Sequence, residues 1–287
     1  MRSEEEMLAL ILGFAEADSR IRAVYMNGSR ANPAAPRDEW QDFDIVYVCQ
    51  TVLPFVYDKS WIPYFGEIAV MQEPDAMALF DDSFRPGDRY AYLMQFADGN
   101  RIDLTFMTLA EAEKQYGSDS LTVPLLDKDG RLPPLPPPSD RDYHIKKPTM
   151  KQYWDCCNEF WWVAPYAVKG LRRGETLYAL DHLNLNIRPM LLQMLEWQAG
   201  VSTDFSVSAG KCGKYLSRYL PESVWPRLLA TYPTADEADM RRALLDMCAL
   251  FDETARAVGA ALGYPYNEDE ARGSVGLIRR WLAEPQR

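Results

Sequence analysis

The sequence contains few residues of the kinds that build zinc sites, disulfide frameworks or membrane spans. Its 287 residues include two histidines and five cysteines, and no two cysteines form a Cys-x-x-Cys pair, so we expect no structural zinc site. No uninterrupted apolar stretch approaches the roughly 18 residues that a membrane-spanning helix needs. Three glutamates, residues 4–6, stand where a secretory signal would carry basic residues. Together these absences predict a reduced, cytoplasmic protein with no membrane partner.

Basic residues are in the minority as well. The chain has 31 Lys and Arg against 42 Asp and Glu, a net charge of −11 and a pI near 4.8. A protein that binds nucleic acid by neutralising phosphates needs a basic surface, so we expect no nucleic-acid partner. The acidic balance favours a cationic partner instead. The GxxxxGK[ST] loop and the kinase motif set are also absent, which argues against a kinase.

A proline-rich segment separates two parts of different character. Residues 132–140 read LPPLPPPSD, a run that favours an extended linker because proline cannot continue a helix. Before it, short segments typical of strands lie at 21–27, 42–49, 68–71, 90–96 and 101–107. After it, helical patterns lie at about 150–170, 175–199, 211–219, 223–231, 235–262 and 269–283. Pro189 should kink the second of these helices.

These patterns predict an α+β fold. A mixed-sheet domain is expected over residues 1–137, preceded by a helix that begins with the capping-box pair Ser3 and Glu6. An all-helical domain is expected over residues 138–287. Cys156 and Cys157 fall inside a predicted helix and are expected to be core residues.

Three polar features fall on the predicted sheet. Gly28 and Ser29 follow the first strand; glycine permits a tight turn that brings backbone N–H groups close to a phosphate, although a plain turn is the commoner use of such a pair. Asp42 and Asp44 enter the second strand on one face, a costly arrangement of like charges unless a cation such as Mg²⁺ is bound. The alternative for this pair is a solvated strand end. Asp103 points outward from a later strand in which alternate apolar residues face the core.

The order Gly-Ser, Asp-x-Asp, Asp resembles the polymerase-β-like nucleotidyltransferase superfamily. More specific strings, among them DFDIVYV, DGNRIDLTFMTLAE and DCCNEFWWVAPYAVKGLRRGE, resemble the aminoglycoside 6-adenylyltransferases, which modify streptomycin. The resemblance spans most of the chain and weakens after about residue 232. It implies a polymerase-β-like catalytic domain, a helical substrate-binding domain, and transfer of AMP from ATP to the 6-hydroxyl of streptomycin with release of pyrophosphate.

The resemblance also implies roles for single residues. Asp42 and Asp44 would hold Mg²⁺ against the triphosphate of the co-substrate ATP, and Asp103 would complete the metal site or act as general base. The candidates for phosphate contacts are Gly28, Ser29, Arg30, Lys169, Arg188, Lys211 and Lys214. Each lysine could instead be a solvated surface residue, and Arg188 could pair internally.

For the acceptor, Glu159 and Asp181 are candidates to bind the guanidinium groups of the cationic aminoglycoside, or else are salt-bridge partners within helices. No second chain is needed for such a site, so we expect a monomer. Two alternatives stay open: a nucleotidyltransferase with another aminoglycoside or hydroxylated metabolite as acceptor, and a catalytically silent nucleotide- or drug-binding module.

Overall fold

All the strands that the structure describes lie in the N-terminal half of the chain. The computed structural model describes residues 1–79 and 87–283, and contacts divide the chain into two units, Met1–Asp142 and Tyr143–Arg287. The first unit contains a mixed sheet, and the described part of the second is helical. The predicted α+β class is confirmed. No helix in the described ranges is long and apolar enough to cross a membrane.

The sheet of the first unit has the strand order β3-β4-β5-β2-β1-β6. Strand β2 is parallel to β5, and the other neighbouring pairs are antiparallel. The strands are β1 Ile21–Asn27, β2 Phe43–Cys49, β3 Ile68–Gln72, β4 Arg89–Phe96, β5 Arg101–Thr108 and β6 Val123–Asp127. Three helices accompany them: α1 Glu4–Ala17, α2 Leu53–Tyr57 and α3 Leu109–Gln115. Helix α1 begins with the predicted capping box of Ser3 and Glu6.

The two faces of this sheet are covered to different extents, because successive side chains of a strand point to opposite faces. Phe43, Ile45 and Tyr47 of β2 are fully buried in the larger apolar cluster with α1. Val46 and Val48 point the other way, into a smaller cluster that includes a residue of α3. Within the described part of the chain, the smaller cluster includes no residue at the start of β2. Polar side chains can therefore stand there.

The second unit packs its helices around one large apolar cluster. The helices are α4 Met150–Arg173, α5 Thr176–Asp181, α6 Arg188–Ser202, α7 Val224–Ala230, α8 Glu237–Leu262 and α9 Glu268–Ala283. Phe160 of α4 stacks on Phe251 of α8 with ring centroids 3.8 Å apart and nearly parallel planes. Cys156 and Cys157 are buried in this cluster, as their helical pattern predicts.

One strand was not predicted, and two predicted helices differ from the structure. Strand β6 was not predicted, because Pro124 interrupts its pattern; the strand lies at an edge of the sheet, where proline is tolerated. The helix predicted over 211–219 is wrong. Two short 3₁₀ turns stand there, because Gly210, Cys212 and Gly213 have positive φ angles.

The helix expected over 175–199 is not continuous. A π-helical stretch, His182–Ile187, separates α5 from α6 and ends two residues before Pro189. Proline has no N–H to donate to the carbonyl four residues earlier, so the regular α-helical ladder cannot run unbroken through this point. The helix type therefore changes next to Pro189, where a kink was predicted.

Candidate active site

Two parallel strands carry the carboxylates of the candidate active site. In the register of β2 and β5, Asp44 lies directly beside Asp103, and neighbouring strands are about 4.8 Å apart. Asp42 comes one residue before β2 and extends the same face. The structure therefore brings these three residues together at the start of two central strands, on the face that α3 packs against nearer the other end of those strands.

Gly28 forms the wall next to Asp44. It follows β1 and has a φ angle of 74°. The carbonyls of Gly28 and Ser29 accept backbone hydrogen bonds from residues 31 and 32, so the chain turns sharply there. A Cβ atom built on Gly28 would lie 2.0 Å from Oδ2 of Asp44. Only glycine permits both this backbone angle and this close approach.

Arg30 is buried against the ring of Phe43. Its side chain is 5% exposed, its guanidinium carbon lies 3.8 Å from the centroid of the Phe43 ring, and it donates to the carbonyl oxygen of Gln41 at 2.7 Å. Glu4 lies 3.1 Å from the same guanidinium. Burial lowers the pKa of Arg30. These contacts support a structural role for Arg30 beneath the Gly28 turn.

Arg101 pairs with two of the three carboxylates. Its Nε and Nη2 atoms donate to the two carboxylate oxygens of Asp103 at 2.7 and 2.8 Å, and its Nη1 atom lies 3.5 Å from Oδ2 of Asp42. The hydrogen-bonded Asp103, with smaller contributions from the charges of Asp42 and Asp44, raises the pKa of Arg101. Sequence analysis did not select Arg101, although its position two residues before Asp103 on a strand places both on one face.

A cleft of about 380 Å³ opens over this part of the sheet. Its walls include Gly28, Asp44 and Asp103, together with three polar residues that sequence analysis did not select: Arg89, Thr105 and Asp119. Arg89 and Thr105 lie on strands β4 and β5, at positions of the Asp103 face. The i, i+2 alternation of those strands is the signal that could have identified them.

The remaining predicted site residues belong to the helical unit. Lys169 of α4 lies with its Nζ 4.3 Å from the centroid of the Tyr166 ring, and Lys211 and Lys214 are exposed around the first 3₁₀ turn. Glu159 and Asp181 are exposed on α4 and α5. Lys169 is half-buried, and the other four side chains are exposed.

Arg188 differs from them because it is 3% exposed. It donates to Oγ1 and to the carbonyl oxygen of Thr231 at 2.6 and 2.8 Å and stacks on the ring of Tyr232. These contacts hold α6 to the segment after α7.

Comparison with known proteins assigns the chain to a family. The family model described as streptomycin adenylyltransferase matches residues 1–280. The chain belongs to the streptomycin adenylyltransferase family. This confirms the resemblance inferred from the sequence motifs, and the enzyme class it implied, a nucleotidyltransferase.

Individual relatives of this family match nearly the whole chain. An aminoglycoside 6-adenylyltransferase of Bacillus subtilis is 42% identical over 93% of this chain and 93% of its own. One from Campylobacter jejuni is 41% identical over 98% of this chain and 96% of its own. A solved aminoglycoside 6-adenyltransferase from Bacillus subtilis is 37% identical over 99% of this chain and 100% of its own, with a TM-score of 0.49.

The donor set of the cleft fits the divalent cation that nucleotidyl transfer generally requires. Carboxylate oxygens are the ligands that Mg²⁺ prefers, and the register places Asp44 beside Asp103. Within residues 1–79 and 87–283, no three acidic, histidine or cysteine side chains converge on one point. Asp103 and Asp42 instead face Arg101. The chemistry of the site thus fits a cation, and Arg101 pairs with two of the same carboxylates.

Proposed function

We propose that this protein transfers AMP from ATP to the 6-hydroxyl of streptomycin and releases pyrophosphate. The observation that carries the proposal is the pairing of Asp44 with Asp103 across parallel strands, beside the close turn at Gly28. Family membership supports the reaction class, and the names of the relatives support an aminoglycoside as acceptor. Because ATP is a cytoplasmic metabolite, we place the reaction in the cytoplasm.

The reaction is an in-line displacement at the α-phosphorus of ATP. The acceptor oxygen forms a bond to phosphorus, the bond to the bridging oxygen of pyrophosphate breaks, and the hydroxyl proton leaves with a base. A bound Mg²⁺ would neutralise charge on the phosphates and orient the displacement. Asp42 and Asp44 would hold it, while Asp103 would complete the metal site or accept the proton.

The backbone at Gly28 and Ser29 is suited to the outer phosphates. Gly28 has no Cβ, so N–H groups of the turn can approach a phosphate closely. Arg30 supports this turn from below through the carbonyl of Gln41. Since its guanidinium is committed there, we propose that Arg30 acts through the turn and not by direct contact.

We propose that residues 138–287 bind the acceptor and part of the triphosphate, and residues 1–137 the reacting phosphate. Glu159 and Asp181 are exposed carboxylates and would pair with the guanidinium groups of the drug. Lys169, Lys211 and Lys214 would contact phosphates. Arg188, which is buried on Thr231, would support the helical unit. All these residues lie on one chain, so a monomer would suffice.

Pyrophosphate release with different acceptors tests the proposal. Purified protein is assayed with ATP and Mg²⁺ in the presence of streptomycin, spectinomycin, kanamycin or no acceptor. We expect pyrophosphate release with streptomycin and with none of the other acceptors. Release with another acceptor would retain the carboxylates and discard Glu159 and Asp181 as ligands of the streptomycin guanidinium groups. No release with any acceptor from folded protein would refute the proposed reaction and favour a silent binding module.

A further inference from the structure

The contacts of Arg101 place a guanidinium where a metal ion would need the same oxygens. Both oxygens of Asp103 accept hydrogen bonds from it, at 2.7 and 2.8 Å. Its third nitrogen lies 3.5 Å from Asp42. One side chain therefore engages two of the three carboxylates, in the fork geometry that binds a carboxylate most strongly.

The strand register explains why Arg101 occupies this place. Arg101 and Asp103 are two residues apart on β5 and share a face. Since Phe43 pairs with Ile102, the residue before Phe43, Asp42, comes beside Arg101. Gln95, which pairs with Arg101 from β4, donates to two backbone carbonyls of the β4–β5 turn and is uncharged. Arg101 therefore pairs with Asp103 and Asp42, while Arg89 of β4 lies further along the same face of the sheet.

The side chains of Arg101, Asp42 and Asp103 are partly exposed to water, so a metal ion can replace the guanidinium of Arg101. The exposed fraction of the side chain is 37% for both Arg101 and Asp42 and 22% for Asp103. Ion pairs with this much access to water contribute little net stability, so a competing cation can displace one at small cost. Without any cation, three carboxylates on one face would repel each other.

We propose that Arg101 is a positioning residue that competes with the divalent cation for Asp42 and Asp103. Its guanidinium holds both carboxylates in place before nucleotide binds and is displaced when the cation arrives with ATP. This inference rests on the metal assignment of the proposed function. Its consequence is an affinity for the cation alone that is roughly fivefold lower than without Arg101, because the cation must first break a partly exposed pair with Asp103.

Titration with Mn²⁺ in the absence of nucleotide tests the competition without using catalysis. The electron paramagnetic resonance signal of free Mn²⁺ gives its dissociation constant for wild type, Arg101→Gln and Arg101→Lys. Loss of a partly exposed pair predicts a dissociation constant roughly fivefold lower for Arg101→Gln. Arg101→Lys keeps the charge but loses the fork, so it should fall between the two.

Arg22 provides a matched control. It forms a similar two-bond pair with Asp129 near the other end of β1, and both side chains are 27% exposed. Arg22→Gln removes the same charge and the same kind of pair, so its Mn²⁺ affinity should equal that of wild type. An equal gain in Arg22→Gln would mean that net charge alone sets the affinity, and would overturn the proposal.

An Mn²⁺ affinity for Arg101→Gln equal to or weaker than that of wild type would also overturn it. If Arg101→Gln does not fold, as judged by circular dichroism, Arg101→Lys decides by the same criterion.

The Mg²⁺ concentration for half-maximal pyrophosphate release should fall in these variants while kcat falls as well, because Asp103 loses its orientation. A purely structural role would leave that Mg²⁺ concentration unchanged. Failure of the metal assignment is distinguishable, because Mn²⁺ affinity would then be unaffected by Asp44→Asn.

Discussion

Replacing Gly28 by alanine perturbs the site through one methyl group. The Cβ atom would lie 2.0 Å from Oδ2 of Asp44, whereas ordinary van der Waals separations are about 3.5 Å, so the carboxylate must move by more than about 1 Å. A displacement of this size in a catalytic group costs of the order of 100-fold in rate. We therefore expect kcat/KM for pyrophosphate release to fall about 100-fold in Gly28→Ala.

The same substitution also strains the backbone. Gly28 has φ of 74°, and a left-handed conformation costs a residue with a Cβ roughly 1–2 kcal/mol. Gly130 provides the control, because its φ is 63° and no atom lies within 4 Å of its added Cβ. Gly130→Ala should lose a similar free energy of unfolding and keep its activity. Urea unfolding and the pyrophosphate assay measure the two quantities. Full activity in Gly28→Ala, or an equal loss of activity in Gly130→Ala, would refute the reasoning.

Two further predictions concern the helical unit. Arg188→Lys should lower the free energy of unfolding by about 2 kcal/mol, because a lysine cannot replace both bonds to Thr231 and leaves a buried acceptor unpaired. Urea unfolding measures this loss. A raised KM for ATP with unchanged stability would contradict the prediction. Burial raises the pKa of Glu196 above 4.5, so the stability it contributes is present below that pH and lost as pH rises through the folded-state pKa. Glu196→Gln should therefore gain stability relative to wild type as pH rises above 4.5, and a pH-independent difference in urea unfolding would contradict the raised pKa.

The central strands could be predicted from sequence because their side chains alternate cleanly. In β2 the apolar residues Phe43, Ile45 and Tyr47 face one side, and Asp44 stands on the other, so the pattern alone predicts a carboxylate on the open face. The same alternation in β5 predicts the orientation of Asp103. What a single sequence does not contain is the neighbour relation: β2 pairs with β5, with β3 and β4 between them in the chain.

Arg30 and Arg101 show most clearly what a single sequence does not reveal about the site. Arg30 follows Gly28 and Ser29 directly, yet its guanidinium turns inward onto Phe43. Arg101 was not selected from the sequence, yet it binds Asp103 with two hydrogen bonds. A long side chain can reach several partners, and burial and register decide among them. Neither quantity can be read from the local sequence.

We propose above all that Asp42, Asp44 and Asp103 carry out ATP-dependent modification of streptomycin. Pyrophosphate release with streptomycin, measured for wild type, Asp44→Asn and the surface control Asp129→Asn, tests it most directly. Loss of a ligand to a metal that supplies several kcal/mol of transition-state stabilisation predicts a drop of about 10³-fold for Asp44→Asn, and Asp129→Asn should keep its activity. Undiminished release by folded Asp44→Asn would contradict the account.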